Sequence, residues 1–381
     1  MYPSIMVNSN ISPETTGEKN APDGLVPQTL RPLLEKRLAL KRRLSELSPF
    51  DCRHKVLKAR AAALKWLLVV CFGYLGYKNA RFGKIESHEA VTSISRELLL
   101  QAKEVAEASG FEVIHMYIDC LFVQKPGCQA ATDFAPLLAA IESQTGIPIA
   151  LEGLYRWVAF QPSKRDARIP VPNRYFGVFQ ACPEHGRRDG EIKYRGIELR
   201  RHDTLHWVAK TQMAVLQCLA QAKTLTQVQE YIPKAREIVE QAKRDLRAGR
   251  VPVEDLFITQ RLSREVGAYK SPSPAVRAAR QLVEMGITVA PGQAIQFVYT
   301  LGKPGVWVQG AKPFDPKTLD VARYSKLLQR AALTILEPLV RVLKCETASN
   351  QPVFQKQAEY NSACFSPNAG SQRVIEFPVE P

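Results

Sequence analysis

The residue with the greatest chemical consequence is Asp119, an acid set in the apolar stretch FEVIHMYIDCLFVQK from Phe111 to Lys125. Phe111, Val113, Ile114, Met116, Ile118, Leu121, Phe122 and Val123 put apolar side chains on both faces, which predicts a strand pair buried inside a sheet. An ionised carboxylate in such a place is costly unless a cation, a metal or several donors meet it. Asp is also a common turn former, so an inert, water-exposed aspartate at a hairpin tip is the alternative that this stretch leaves open.

Cations are gathered between Gln28 and Lys65, where eleven Lys and Arg face only Glu35, Glu46 and Asp51, a surplus of eight in a chain whose formal charge is +15. Arg37 and Lys41 stand at i, i+4 spacing, and Lys55, Lys58 and Lys65 recur further on, so two helices would each carry a basic stripe. A merely solvated face would mix in acids, which favours an anion-binding face. Lys164, Arg165, Arg168 and Arg174 lie on a loop between two extended segments, which suits a phosphate backbone or a plain surface loop. Cys182 and His185 have ligand-like spacing, but no second such pair lies in reach, so zinc is not expected there.

The elements that must position these residues follow from periodicity and turn residues. Met1 to Val7 look like the end of a strand, and Asn8 to Gly24 are a loop marked by Pro13, Gly17, Pro22 and Gly24. Gln28 to Leu47 has leucines at helical spacing. Ser48-Pro49-Phe50-Asp51 predicts a second helix capped by Ser48 and running to Phe72, so the two helices form an antiparallel hairpin. Glu86–Ser109 and Thr132–Gln144 are predicted helices, while Ile147–Phe160, Tyr175–Gln180 and Ile192–Leu199 are predicted extended. Beyond His206 the pattern is helical over Val208–Lys223, Leu225–Ala248, Ser273–Met285 and Leu319–Lys344, with Pro291-Gly292 turning into a strand that ends at Tyr299. From Glu346 the chain is rich in Ser, Asn, Gln and Pro, and a poorly ordered tail is expected.

A hydrophobic fraction of 45% in 381 residues is ample for globular cores, and 52 Lys and Arg against 37 Asp and Glu favour a polyanionic partner such as nucleic acid. The eight cysteines include no CxxC pair, and no secretory signal opens the chain, which suits a reducing cytoplasm. The longest apolar run, Trp66 to Leu75, is about half of what a bilayer requires, so no membrane partner is expected. Neither a GxxxxGK[ST] loop nor a Ser-His-Asp arrangement is present.

From about Met1 to Lys344 the chain resembles the catalytic half of a family B DNA polymerase. Tyr2-Pro3-Ser4-Ile5 resembles the end of the family's first motif, DxxSLYPSI, which would make Tyr2 the gate beneath the incoming sugar. Arg37 and Lys41 match an RxxxK pair and Lys65 the lysine of KxxxNSxYG, which would give all three to the triphosphate; Asn79-Ala80-Arg81-Phe82 follows as in the family. Asp119 takes the place of the second aspartate of YGDTDS. Arg174-Tyr175 resembles the end of KKRY, while Lys193, Arg195-Gly196, Arg200-Arg201 and Asp203 resemble KGxxxxRRD, elements that hold the primer-template duplex. Ile258 to Leu262, Tyr269 and Val289 to Val298 look like the family's thumb.

The resemblance implies an α+β fold: a palm sheet, an inserted antiparallel helical hairpin as fingers, and a mostly helical C-terminal thumb. The implied domains are a palm fragment and loop over 1–24, fingers over 25–80, palm over 81–205, thumb over 206–345 and a tail over 346–381. The implied chemistry is template-directed nucleotidyl transfer from deoxynucleoside triphosphates, with two Mg²⁺ held by bridging carboxylates of which Asp119 is one. The departures are Tyr117 for the first aspartate of YGDTDS, Val69-Val70 and Phe72 within KxxxNSxYG, and Pro172-Asn173 for the KKRY lysines. The aspartate of the first motif would precede Met1, so the chain reads as a C-terminal portion whose N-terminal half is separately encoded or lost through a miscalled start. The alternatives are an inactive remnant that binds DNA, and an unrelated helical RNA-binding or membrane-surface protein.

Overall fold

The computed structural model describes residues 1–16, 21–48, 51–166, 169–310, 313–348 and 373–376. They fall into two units, one formed by Met1–Gly153 with the segment from Arg373, the other by Leu154–Gln372.

In the first unit the opening residues form a short helix, α1 (Tyr2–Asn8), rather than the expected strand end. Pro3 sits in its first turn, where a missing N–H leaves no partner wanting, and Pro3, Ile5, Met6 and Val7 are buried. Asn10 at φ 48° staples the following loop: its Nδ2 donates to the Ala21 and Pro22 carbonyls at 3.2 and 3.1 Å and its Oδ1 accepts from the Gly24 N–H at 2.8 Å. The predicted helical hairpin is present as α2 (Leu25–Glu46) packed on α3 (Cys52–Leu75). Asp51, not Ser48, caps α3, accepting from the Arg53 N–H at 2.8 Å. Asp caps as well as Ser, and its charge also meets the positive end of the helix. Pro49 and Phe50 of that predicted cap lie outside the described residues.

After α4 (Ile85–Ala108), β1 (Glu112–Tyr117) and β2 (Cys120–Gln124) form the predicted hairpin, with Tyr117 opposite Cys120. Burial is unequal: every residue of β2 is buried, but β1 is a sheet edge with only Ile114 fully inside, which corrects the expectation of two strands buried on both faces. An apolar run is compatible with an edge strand because folded surfaces retain much apolar area. α5 (Ala135–Thr145) packs against α4. Arg373–Glu376 pairs antiparallel with β2, a strand the polar composition around it concealed; the rest of the expected tail beyond Ala348 lies outside the described residues.

The second unit contains β3 (Ala150–Pro162, in this unit from Leu154), β4 (Pro170–Phe179) and β5 (Ile192–Arg195) in an antiparallel sheet. Helices α6 (His206–Leu219) and α7 (Leu225–Arg247) precede β6 (Ile258–Arg261), α8 (Pro274–Glu284), β7 (Ala294–Tyr299) and β8 (Val306–Trp307), and α9 (Val321–Ala348) follows. β6, β7 and β8 make a small second sheet against which α8 packs, and α9 lies against α6 and α7. One core joins Trp157 and Phe176 of the first sheet to Leu216, Val239, Phe297 and Tyr324.

Gln212 on α6 ties three elements together. Its Nε2 donates to the Ala331 carbonyl at 2.8 Å and to Glu198 Oε2 at 3.0 Å, while its Oε1 accepts from the Leu199 N–H at 2.8 Å. Its burial is nearly complete, so these partners would find no water if it were removed. Gln212→Ala is expected to cost about 1–3 kcal/mol, read as a lower thermal midpoint than that of the unaltered chain.

Candidate active site

The hairpin tip is built from two residues, Ile118 and Asp119, between the paired Tyr117 and Cys120. The Asp119 N–H donates to the Tyr117 carbonyl at 2.6 Å, which makes a γ-turn centred on Ile118 at φ 52°. A β-branched residue in that left-handed region is strained by about 1–2 kcal/mol, so the surrounding structure holds this turn against its local preference. The Cys120 thiol also lies 3.2 Å from the Tyr117 carbonyl. The turn fixes the start of the Asp119 side chain, which is half-buried rather than free in water.

Burial is the largest influence on Asp119 and pushes its carboxyl above the ordinary carboxylate range; the Met1 amine, its own backbone N–H and the Lys65 ammonium pull the other way. Burial likewise drives the Met1 amine down, with Asp119 opposing and Arg37 and Lys41 reinforcing that fall. The Tyr2 hydroxyl is raised by burial and by the negative field of Asp119, with the Ser95 side chain acting in the opposite sense. Tyr2, Arg37, Lys41, Lys65 and Asp119, which come from four separate stretches of sequence, are thus linked electrostatically, Arg37 and Lys41 through the Met1 amine that also faces Asp119. Arg37 is itself buried, at 8% exposure. The Tyr2 ring lies 4.3 Å from the Phe72 ring, which in turn stacks on His88 at 4.2 Å.

Ser95 and His88 are neighbours that sequence reasoning did not name, and Tyr117 entered it only as a departure from the family motif. Ser95 carried a signal: with Ser87, Val91 and Leu99 it falls on the buried stripe of α4, where a serine hydroxyl needs a partner. Among the described residues no group of three His, Cys, Asp and Glu side chains gathers around Asp119. A single carboxylate still fits Mg²⁺, which keeps several waters and is commonly held by one or two carboxylates together with substrate phosphates.

The second unit carries the other predicted set. Tyr175 stands opposite Arg195, and Gly177 opposite Lys193, on neighbouring strands. The Arg174 Nε donates to the Gly196 carbonyl at 2.9 Å. Gly196 sits at φ 62°, and a Cβ there would come within 2.4 Å of the Asn173 carbonyl, so this close approach requires glycine. Arg200 and Arg201 are exposed beyond the strand, Arg201 forked onto Asp203 at 2.9 and 2.7 Å. Tyr175 departs from expectation: it is 4% exposed with its ring against Phe160, so it anchors the strand and does not present a face to a duplex. Lys164 and Arg165 are exposed, whereas Arg168 lies outside the described residues.

The sequence profile of DNA polymerase family B matches residues 16–120 and 172–343, most of the chain. The chain belongs to DNA polymerase family B. It is 29% identical over 320 residues to a DNA polymerase of Archaeoglobus fulgidus, covering 80% of this chain and 38% of that one. It is 29% identical over 361 residues to DNA polymerase 2 of Aeropyrum pernix, covering 88% and 42% respectively. Its structure is similar to that of the family B DNA polymerase from Pyrobaculum calidifontis, with a TM-score of 0.61 and 29% identity, over 88% of this chain and 44% of that chain. The chain thus spans about two fifths of the length of these relatives.

The buried carboxylate has a consequence for stability in metal-free buffer. With its carboxyl raised, Asp119 binds a proton in the native state where the unfolded chain has lost it, so its contribution to stability falls as pH rises between the ordinary and the raised value. Asp119→Asn removes that cost. The variant is expected to melt higher than the parent at neutral pH, with the gain fading below the ordinary carboxylate range; the Met1 amine titrates in both proteins and works in the opposite sense. Melting temperatures across a pH series in EDTA check this.

Proposed function

We propose that this chain is the catalytic C-terminal portion of a DNA-directed DNA polymerase, with a palm fragment over residues 1–24, fingers over 25–80, palm over 81–205 and thumb over 206–345. Asp119 holds Mg²⁺, Arg37, Lys41 and Lys65 hold the triphosphate of the incoming deoxynucleotide, and Tyr2 limits the room beneath its sugar. Arg174, Lys193, Arg195, Arg200 and Arg201 hold the primer-template backbone. The observation that carries this proposal is the meeting of charges around Asp119: Lys65 and the Met1 amine act on its carboxylate, the carboxylate acts on Tyr2, and Arg37 and Lys41 act on that same Met1 amine.

When bound, two Mg²⁺ activate the primer 3′-hydroxyl and stabilise charge on the phosphates. This chain's residues supply the rest. Cations on α2 and α3 balance triphosphate charge and hold the α-phosphate in line for attack. The Tyr2 ring is braced by the Phe72 ring 4.3 Å away, which lets it act as a wall beneath the sugar. Strand-borne Lys193 and Arg195 make backbone contacts that position the duplex without reading its sequence. The second bridging carboxylate comes from a polypeptide that carries the family's N-terminal portion, and the assembly works in the cytoplasm.

Primer extension in Mg²⁺, by this chain together with a polypeptide bearing the N-terminal half, tests the proposal. Extension is expected, and Asp119→Asn should reduce it more than about a hundredfold, the equivalent of a few kcal/mol of lost transition-state stabilisation. Extension that survives the substitution overturns the assignment. Salt-sensitive DNA binding with no extension by any combination would identify an inactive DNA-binding remnant instead.

A further inference from the structure

The connection between β4 and β5 contains a ligand set that the polymerase chemistry does not use. Cys182 and His185 were a bare pair in the sequence, but the fold adds a third donor between them, Glu184, and the ligand atoms of all three lie within 4.8 Å of one another. We propose that the turn Cys182–His185 binds one divalent transition-metal ion of the zinc type, through the Cys182 thiolate, the Glu184 carboxylate and the His185 imidazole, with a fourth position open to solvent.

The turn is shaped before any ion arrives. Cys182 and Arg187 exchange backbone hydrogen bonds at 3.0 Å in both directions, and the His185 N–H donates to the Cys182 carbonyl at 3.1 Å. Pro183 opens the short 3-10 turn, and Gly186 at φ 67° closes it, its N–H donating to the Pro183 carbonyl at 3.0 Å. The backbone order that a metal would otherwise impose is largely in place, which lowers the entropic cost of binding.

The donor spacing also suits the ion. Cys182 Sγ lies 3.9 Å from Glu184 Oε2. Tetrahedral zinc, with bonds near 2.3 Å to sulfur and 2.0 Å to oxygen, would hold those atoms about 3.5 Å apart, so closure requires only a few tenths of an ångström. Cys182 is buried, at 3% exposure, whereas Glu184 and His185 are exposed, so the floor of the site is the thiol and its mouth faces water. A thiolate, an imidazole and one carboxylate select zinc-like ions over Mg²⁺ and Ca²⁺, which prefer all-oxygen sets. The neighbouring guanidinium of Arg187 pairs with Glu191 at 2.8 Å and lies 4.4 Å over the Phe179 ring. A bound ion would pin the connection that leads into β5, the strand bearing Lys193 and Arg195.

Cobalt titration of the metal-stripped full chain tests the site. One equivalent of Co²⁺ should produce thiolate-to-cobalt charge-transfer absorption with the visible bands of a tetrahedral centre, and Zn²⁺ should abolish both. Cys182→Ser should lose the charge-transfer band. Glu184→Gln and His185→Asn change exposed side chains, so circular dichroism should be unaltered while Co²⁺ affinity falls about tenfold or more. Asp119→Asn, which alters the residue beside Cys120, should leave the band unchanged. A parent chain with no charge-transfer band, binding equally tight in Glu184→Gln and His185→Asn, or a band that survives Cys182→Ser overturns the proposal.

Discussion

A carboxylate kept where water has largely withdrawn is the constraint on which the first unit depends. Burial pushes the Asp119 proton on, and the cationic groups around it pull that proton off. A divalent ion would reverse the local balance outright, because its charge is the largest in any site it occupies. The strained turn at Ile118, the edge position of β1 and the buried guanidinium of Arg37 are intelligible as the supports of that one charge. Each costs stability, and a site that stores cost in this way is characteristic of function rather than of packing.

In the proposed function the second unit meets a different demand, since phosphate contacts need many moderate cations in fixed register rather than one perturbed group. Regular strands supply that register: Lys193 and Arg195 alternate along β5 on the same face, and the close approach at Gly196 lets Arg174 bind the carbonyl of that turn. Gln212 fastens the adjoining turn at Glu198 and Leu199 to α6 and α9, and so steadies the segment from which Arg200 and Arg201 project. Arg201 is also braced by Asp203, which orders its guanidinium while leaving it exposed.

Much of this was legible in the sequence because it rests on local patterns. Apolar runs of strand length broken near Asp119 gave the β1–β2 hairpin, and leucine periodicity gave α2. Errors arose where two local rules compete or where a partner is distant. Met1–Val7 is equally apolar as strand or helix until Pro3 is recognised as a first-turn residue, and Asp51 outcompeted Ser48 for the same cap. The burial of Tyr175 and the pairing of Arg373–Glu376 with β2 depend on residues far away in the chain, which no window of sequence contains. The cationic surplus marked the site's composition, and the family motifs marked Tyr2, Arg37, Lys41, Lys65 and Asp119 individually. Neither showed that Ser95 lies near enough to Tyr2 to act on its hydroxyl, or that Glu184 joins Cys182 and His185.

The central claim is that Asp119 and the surrounding cations form a metal-dependent triphosphate site, and calorimetric titration of a deoxynucleoside triphosphate into this chain tests it most directly. The account predicts tighter binding with Mg²⁺ than in EDTA, and no such difference for Asp119→Asn. Equal affinity with and without metal, or a Mg²⁺ enhancement that survives loss of the carboxylate, would contradict it.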